Sequence, residues 1–282
     1  MIESVGVVAK RGAAAASVAR ELAEWLVRRG HRVLLDPQTR LECGRGDLPE
    51  LAPGAPCDLI VALGGDGTLL SVARRSSGGP PILGVNLGRL GFLTEVARDS
   101  LYPALVEVLA GDYRLEPRSL FQVSLERSDG RRRSYLALND AVLAKTALSR
   151  IIELHLTVDG RPVSRYRADG LVVSTPTGST AYNLSAGGPI LHPQLAVAVL
   201  TPICPHTLTL RPLVVPDTSR IEISLETPSE SVYLTVDGQE GDEMAFGDRV
   251  VVQRHSEPAL LVRTGHPRSI FEGLRSKLHW GE

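Results

Sequence analysis

The sequence predicts two domains, an α/β unit followed by an all-β one. Three observations carry this. Short apolar runs alternate with longer helical stretches from Val5 to about Gly111, the helical period disappears from about Leu115, and Asp-Gly turn signals then separate alternating strands. A length of 282 residues suits one large or two average domains, and 43% hydrophobic with 22% charged residues is the composition of a folded globular protein.

In the first part, Val5 to Ala9 reads as a strand, and the next stretch places Val18, Leu22, Trp25 and Leu26 on one helical face that stops at Gly30. Val33 to Leu35 resumes as strand, and residues 36 to 56, broken by Pro49, Pro53, Gly54 and Pro56, read as a surface loop. Leu59-Ile60-Val61-Ala62-Leu63 is apolar at every position, as a strand covered on both faces must be. A glycine-rich turn follows, with helix from Leu69, strand from Ile82 to Val85, and a helix from Ser100 to Ala110 capped by Asp99 or Ser100 and ended by Gly111.

In the second part, Phe121 to Leu125 and Tyr135 to Leu138 flank Ser128-Asp129-Gly130, while Ile151 to Val158 and Val232 to Val236 lead into Asp159-Gly160 and Asp237-Gly238. Ile221 to Leu225, Val250 to Gln253 and Leu260 to Val262 add further alternating runs, and Ser269 to Leu278 regains helix-forming character. The expected division is an α/β domain over 1–114, an all-β domain over 115–262, and a segment 263–282 that packs back on the first domain. No repeat of 20 to 50 residues suggests a solenoid.

Lys+Arg 31 against Asp+Glu 32 leaves a net charge of -1, without the cationic surplus that holds a protein on nucleic acid or an anionic membrane. Three cysteines, Cys43, Cys57 and Cys204, give neither a disulfide framework nor a zinc knuckle, so a reducing cytoplasm is the expected home. The first residues lack a continuous apolar run, and no stretch approaches the roughly 18 apolar residues of a membrane span. Lysine occurs at positions 10, 145 and 277, never after a glycine, which excludes the Gly-Lys-Ser/Thr of a P-loop. Patterns for a dinucleotide fingerprint, a zinc protease or a nucleophile elbow are likewise absent from the sequence.

What stands instead is Gly64-Gly65-Asp66-Gly67-Thr68, directly after the all-apolar strand and opening the next helix. A strand-to-helix turn at the carboxyl end of a parallel sheet is where α/β folds bind ligands, and glycines let backbone N–H groups approach phosphate oxygens. A carboxylate there would be repelled by phosphates unless a metal ion offsets the charge or its task is to take a proton, which points to phosphoryl transfer. Five Asp-Gly pairs occur in the chain, but Asp66 has no antiparallel partner pattern around it and follows a Gly-Gly pair. A second candidate, residues 165 to 190, mixes hydroxyl and amide side chains with Pro and Gly; with Arg165, Arg167 and Asp169 it carries the groups that ribose, base edges and a pyrophosphate require. Asn139-Asp140, at the end of an apolar segment, reads in isolation as an Asx turn. Phe92 reads as core, His206 as structural, and Arg131-Arg132-Arg133 as a solvated strand end.

Taken in order, GGDGT, Asn139-Asp140, DGLVVSTPTGSTAYNLSAGGP and ICPHTLTLRPLVVP resemble the NAD kinase family, as does NLGRLGFLTEV from Asn86 to Val96. GGDGT alone is shared with lipid kinases and phosphofructokinase-type enzymes; the STPTGSTAYNLSAGG run is the specific part. The resemblance implies a Rossmann-like α/β domain, a β-sandwich-like second domain, and NAD held in the cleft. It implies Mg²⁺-dependent transfer of the ATP γ-phosphate to the 2′-hydroxyl of the adenosine ribose of NAD, giving NADP. By carry-over, Asp66 is the proton acceptor with Gly67 beside the same ribose, and Gly64, Gly65 and Thr68 face the ATP phosphates. Asn139, Asp140, Arg150, Arg167, Asp169, Thr180, Ala181, Tyr182, Asn183, Leu184, Ser185 and Gln239 fall where family members contact NAD. A homo-oligomer, dimer or tetramer, is expected by the same resemblance; the metal's protein ligands are not assigned by it. Two rivals remain at this point, a lipid kinase sharing GGDGT and a non-catalytic nucleotide-binding regulator.

Overall fold

A computed structural model describes residues 2–52, 54–88, 91–146, 151–207, 209–227, 232–265 and 270–278. The chain opens with β1 (Ser4–Ala9), α1 (Ala13–Arg28), β2 (Arg32–Leu35), α2 (Pro37–Glu42), β3 (Leu59–Gly64), α3 (Asp66–Arg75) and β4 (Ile82–Asn86). The short β5 (Val96–Ala97), a 3₁₀ turn over Arg98–Ser100, α4 (Leu101–Ala110) and β6 (Arg114–Arg118) follow. Next come β7 (Phe121–Glu126), β8 (Arg132–Ala137), β9 (Asp140–Lys145), β10 (Ile152–Val158), β11 (Arg161–Ala168) and β12 (Gly170–Ser174). A 3₁₀ turn over Thr177–Thr180 and the single-turn α5 (Tyr182–Ser185) precede β13 (Val197–Ile203), β14 (Leu213–Pro216), β15 (Ile221–Leu225), β16 (Val232–Val236), β17 (Glu240–Met244) and β18 (Arg249–Arg254). The chain closes with β19 (Ala259–Arg263) and α6 (Ile270–Leu278).

Two compact units result, one of residues up to Pro117 together with those from Ala259 onward, the other spanning Arg118–Pro258. In the first, the sheet runs β2-β1-β3-β4-β19-β6 with β5 beside β4, and the pairs β1/β2, β1/β3, β3/β4 and β4/β19 are parallel. Val5, Val7, Leu59, Val61, Leu63, Leu83 and Val85 turn one face toward Val18, Leu22 and Leu26 of α1 and Leu101, Leu105 and Val108 of α4. Because β1 has β2 on one side and β3 on the other, strand order reverses there, and the crevice at the carboxyl ends of β1 and β3 is the place where such sheets take ligands. The glycine-rich loop leaves β3 at that crevice, with Lys10 N–H bonded to the Leu63 carbonyl at 2.8 Å across the same end.

The second unit is a sandwich. Its two sheets run β11-β10-β15-β18-β7-β8 and β14-β13-β12-β9-β16-β17, and inward residues of both share one core, including Val123, Leu154, Ile223 and Val250 from the first and Leu143, Val173, Leu200 and Leu234 from the second. Asp159-Gly160 and Asp237-Gly238 sit at the β10–β11 and β16–β17 hairpins, all four residues at positive φ (51°, 73°, 51° and 65°), the left-handed backbone that Asp-Gly turns supply.

Several local expectations change. The helix after β3 begins at Asp66 instead of Leu69, because Asp in a first turn complements the helix dipole and Gly65, at φ −145°, serves as its N-cap. The segment from 36 contains α2, with Asp36 accepting from the Gln38 and Thr39 N–H groups and Pro37 in the first turn. No side-chain cap starts α4; the 3₁₀ turn leads into it instead. Leu260 to Val262, read as part of the all-β half, belongs to β19 in the first sheet, and β6 joins it there, so the sandwich begins at Arg118 and ends at Pro258. Ending the chain after Pro258 removes the strand between β4 and β6. Scanning calorimetry of that truncation should show the first unit's cooperative transition lost while the sandwich still melts cooperatively.

Candidate active site

Gly64 and Gly65 are glycines for different reasons. A Cβ on Gly64 would overlap the Thr68 side chain and lie 3.3 Å from Lys10 Cβ, whereas one on Gly65 would meet nothing within 4 Å. Gly64 is therefore required by packing, whereas the space beside Gly65, the N-cap of α3, is open. Gly67 is exposed and Thr68 half-buried.

Asp66 points back into the protein. Its Oδ2 accepts from Phe92 N–H at 2.7 Å, and its Oδ1 accepts from Leu93 N–H at 3.2 Å, Thr94 N–H at 3.1 Å and Thr94 Oγ1 at 3.0 Å. A carboxylate offers about four lone-pair sites, so Oδ1 is saturated and Oδ2 keeps one free. The loop that supplies these donors is itself fixed. A Cβ at Gly91 would overlap the Asp66 carboxylate, so glycine there permits the approach. Buried Asn86 donates from Nδ2 to Thr94 Oγ1 at 2.9 Å, and its Oδ1 accepts from Gly88 N–H at 2.7 Å. From β19, buried Arg263 donates to the Leu93 carbonyl at 3.2 Å and pairs with Glu95 at 3.0 Å and with Glu116. Sequence reasoning marked this stretch only by resemblance and placed Phe92 in the core; the glycines at 88 and 91 were the local signal for a loop in close contact.

In the second unit the candidates fall at two ends of one sheet. Asn139 and Asp140 open β9, opposite Ser174 at the end of β12 and next to the Asp237–Gln239 turn after β16. Asp237, missed from sequence as more than a turn residue, accepts from Leu138 N–H at 3.0 Å, Asn139 N–H at 2.8 Å and Asp140 N–H at 3.1 Å. Gly178 lies against the Asn139 backbone with no room for a Cβ, and Thr175 N–H donates to the Asn139 carbonyl at 2.8 Å. At the other end of β9 and β12, Asp169 pairs with Lys145 at 2.8 Å, and the carbonyl of exposed Arg167 accepts from His206 N–H at 2.9 Å. The ends are separated by the five residues of β12, roughly 15 Å of strand. Arg150 lies outside the described residues.

The hydroxyl-rich run holds itself together. Ser179 Oγ donates to the Pro176 carbonyl at 2.7 Å and accepts from Leu191 N–H at 3.0 Å, and Thr175 Oγ1 donates to the Leu138 carbonyl at 2.6 Å. Asn183 is fully buried, its Nδ2 donating to the Ser179 and Pro189 carbonyls at 3.1 and 3.0 Å and its Oδ1 accepting from Thr201 Oγ1 at 2.6 Å. Its side chain shapes the turn. Tyr182 and Ser185 are exposed, Thr180, Ala181 and Leu184 are half-buried, and Gln239 is exposed.

A doubly wound sheet with a carboxylate inside a glycine-rich strand-to-helix loop, joined in one chain to a sandwich carrying a polar turn, defines a class: the nucleotide phosphotransferases that lack a P-loop lysine. Residues 5–113 match the family described as the ATP-NAD kinase N-terminal domain, and residues 138–264 the ATP-NAD kinase C-terminal domain. The chain belongs to the NAD kinase family, and NAD kinase is its activity. The NAD kinase of Geotalea daltonii is 50% identical over 272 residues, covering 94% of each chain, and that of Solibacter usitatus 46% over 286 residues, covering 100% of this chain and 99% of its own. Among solved structures, yeast NADH kinase complexed with NADH has a TM-score of 0.88 at 27% identity, over 100% of this chain and 89% of that one. The NAD kinase of Archaeoglobus fulgidus in complex with ATP has a TM-score of 0.74 at 28% identity, over 98% of both.

Asp140 is 4% exposed, and burial, with the nearby Asp237 carboxylate adding to it, pushes its pKa up to about 7. Between about pH 4 and pH 7 the unfolded chain releases this proton while the folded chain keeps it, so stability falls as pH rises through that window. Asp140→Asn should therefore be more stable than the parent above pH 7, by on the order of a few kcal/mol, and equal to it near pH 4. Urea unfolding midpoints across that range provide the check.

Proposed function

We propose that Asp66 takes the proton from the 2′-hydroxyl of the adenosine ribose of NAD as that oxygen attacks the γ-phosphorus of ATP. The observation that carries this is the hydrogen-bond count on Asp66: three donors hold Oδ1 and one holds Oδ2. Oδ2 is the atom with a lone pair left for a proton, and the loop holds it in one place. A ribose hydroxyl is a poor nucleophile, so a base in hydrogen-bond reach helps, while alignment and charge stabilisation carry most of a loose phosphoryl transfer.

The open space at Gly65 and the α3 N-terminus suit the donor phosphates, with Gly64 and Thr68 shaping the loop and Gly67 beside the ribose. Asn139 and Asp140 take adenine and ribose, supported by Thr180, Ala181, Tyr182, Leu184, Ser185 and Gln239. Arg167 suits the pyrophosphate bidentately, and Asp169 belongs with it at that end of the sheet. Among the described residues no group of three or more His, Cys, Asp or Glu side chains could hold a metal ion. With Asp66 already engaged by backbone donors, Mg²⁺ fits as part of the Mg·ATP substrate, screening the phosphate charge. A homo-oligomer, dimer or tetramer, is proposed and light scattering tests it. Cys43, Cys57 and Cys204 are free thiols, which supports a reducing cytoplasm; no helix among the described residues is long and apolar enough to cross a membrane.

Asp66→Asn should lose about 10²- to 10⁴-fold in kcat while calorimetry finds NAD binding within a few-fold of the parent. Near-normal NADP formation by that variant would overturn the assignment of the base.

A further inference from the structure

The C-terminal helix α6 carries one feature that its amphipathic pattern does not explain. Its inward face is formed by Ile270, Gly273, Leu274 and Lys277, at i, i+3, i+4 and i+7, and the remaining described positions are exposed. Three of these are what a packed face uses; a lysine is not. Lys277 makes no ion pair with a described residue, and its ammonium lies 4.7 Å from the centroid of the Phe92 ring. A Cβ on Gly273, one turn earlier on the same face, would touch the same ring at 3.8 Å. Phe92 is the residue whose N–H holds Oδ2 of Asp66 at 2.7 Å. The helix therefore rests on the cradle of the proposed base and brings a positive charge to it.

We propose that Lys277 binds the terminal phosphate of the donor at the Gly64–Thr68 loop, offsetting the charge that Asp66 would otherwise set against an incoming polyphosphate. Burial disfavours its charged form and holds its pKa below the usual lysine range, with Asp66 acting in the opposite direction. A cation–π contact is a weak partner for an ammonium, whereas a phosphate supplies charge-assisted hydrogen bonds about twice as strong as neutral ones. A half-buried cation that makes no ion pair with a described residue is poised for an anion. Near a carboxylate that must keep a lone pair free, a protein-borne cation is also better placed one residue away, over Phe92, than in direct contact with Asp66, where it would occupy Oδ2.

This inference rests on the reading that the Asp66 loop is the transfer site. The experiment compares the full-length chain with Lys277→Met, which keeps the stem packed on α6, Lys277→Arg, which keeps the charge, and Asp66→Asn. Calorimetric titration with inorganic triphosphate and with NAD, together with steady-state kinetics, gives the readout. Lys277→Met should weaken triphosphate binding and raise KM for ATP by about 10-fold or more, leave NAD affinity within 2- to 3-fold, and melt within a few degrees of the parent; Lys277→Arg should recover most of the loss. Unchanged triphosphate affinity in Lys277→Met, or equal weakening of triphosphate and NAD, overturns the proposal. If Asp66→Asn turns over normally, the reading of the base fails instead, and the triphosphate titration still decides Lys277 by itself.

Discussion

A carboxylate turned onto backbone N–H groups is the interaction on which the first unit's site depends. Asp66 stands at the first turn of α3, yet it reaches the amides of Phe92, Leu93 and Thr94, some 26 to 28 residues on. Those amides can converge only if the loop backbone comes close, so position 91 must be glycine. They stay convergent only if the loop is pinned, which Asn86 does through Thr94 and Arg263 does through the Leu93 carbonyl and Glu95. Arg263 is buried while its carboxylate partners Glu95 and Glu116 are partly exposed, so the guanidinium reaches the loop from β19 with two counter-charges beside it. The last strand of the sheet thus fixes a residue at the end of its third strand.

The second unit uses the same device. Asp237 gathers the amides of Leu138, Asn139 and Asp140 as Asp66 gathers those of its own loop. One consequence is electrostatic: Asp140 is buried near that second carboxylate, and its proton is held to about neutral pH. Another is geometric, since Asn139 and Asp140 become a fixed pair at one end of β9 and the polar run after β12 folds onto them through Thr175 and Gly178. In both units, then, backbone amides placed by the fold meet one of the chain's own carboxylates.

Much of this was legible in the residues. The all-apolar run from Leu59 to Leu63 became a fully buried central strand, Gly30 and Gly111 ended their helices at positive φ, and the Asp-Gly pairs at 159 and 237 made hairpins. Helix α2 was hidden behind the prolines of its segment, although Asp36-Pro37 is an N-cap followed by a first-turn proline. The helix start at Asp66 was masked by poor interior helix formers that are well suited to a first turn. In the polar run, residue type showed that hydrogen bonds would be made, but not with what. Ser179, Asn183 and Thr201 bond to one another and to the backbone, which leaves Tyr182 and Ser185 outside.

By itself the sequence determined most of the first unit's strands and helices, the change from α/β to all-β and the loop that carries Asp66, which follow from local periodicity and turn chemistry acting over a few residues; the family was legible in its motifs, by resemblance. The tertiary structure alone decided that β19 returns to lie between β4 and β6, that Asp66 faces Phe92 to Thr94, and that Lys277 comes to rest over the ring of Phe92. Each of these joins residues far apart in the chain, and a local pattern states which face is buried without stating which partner buries it.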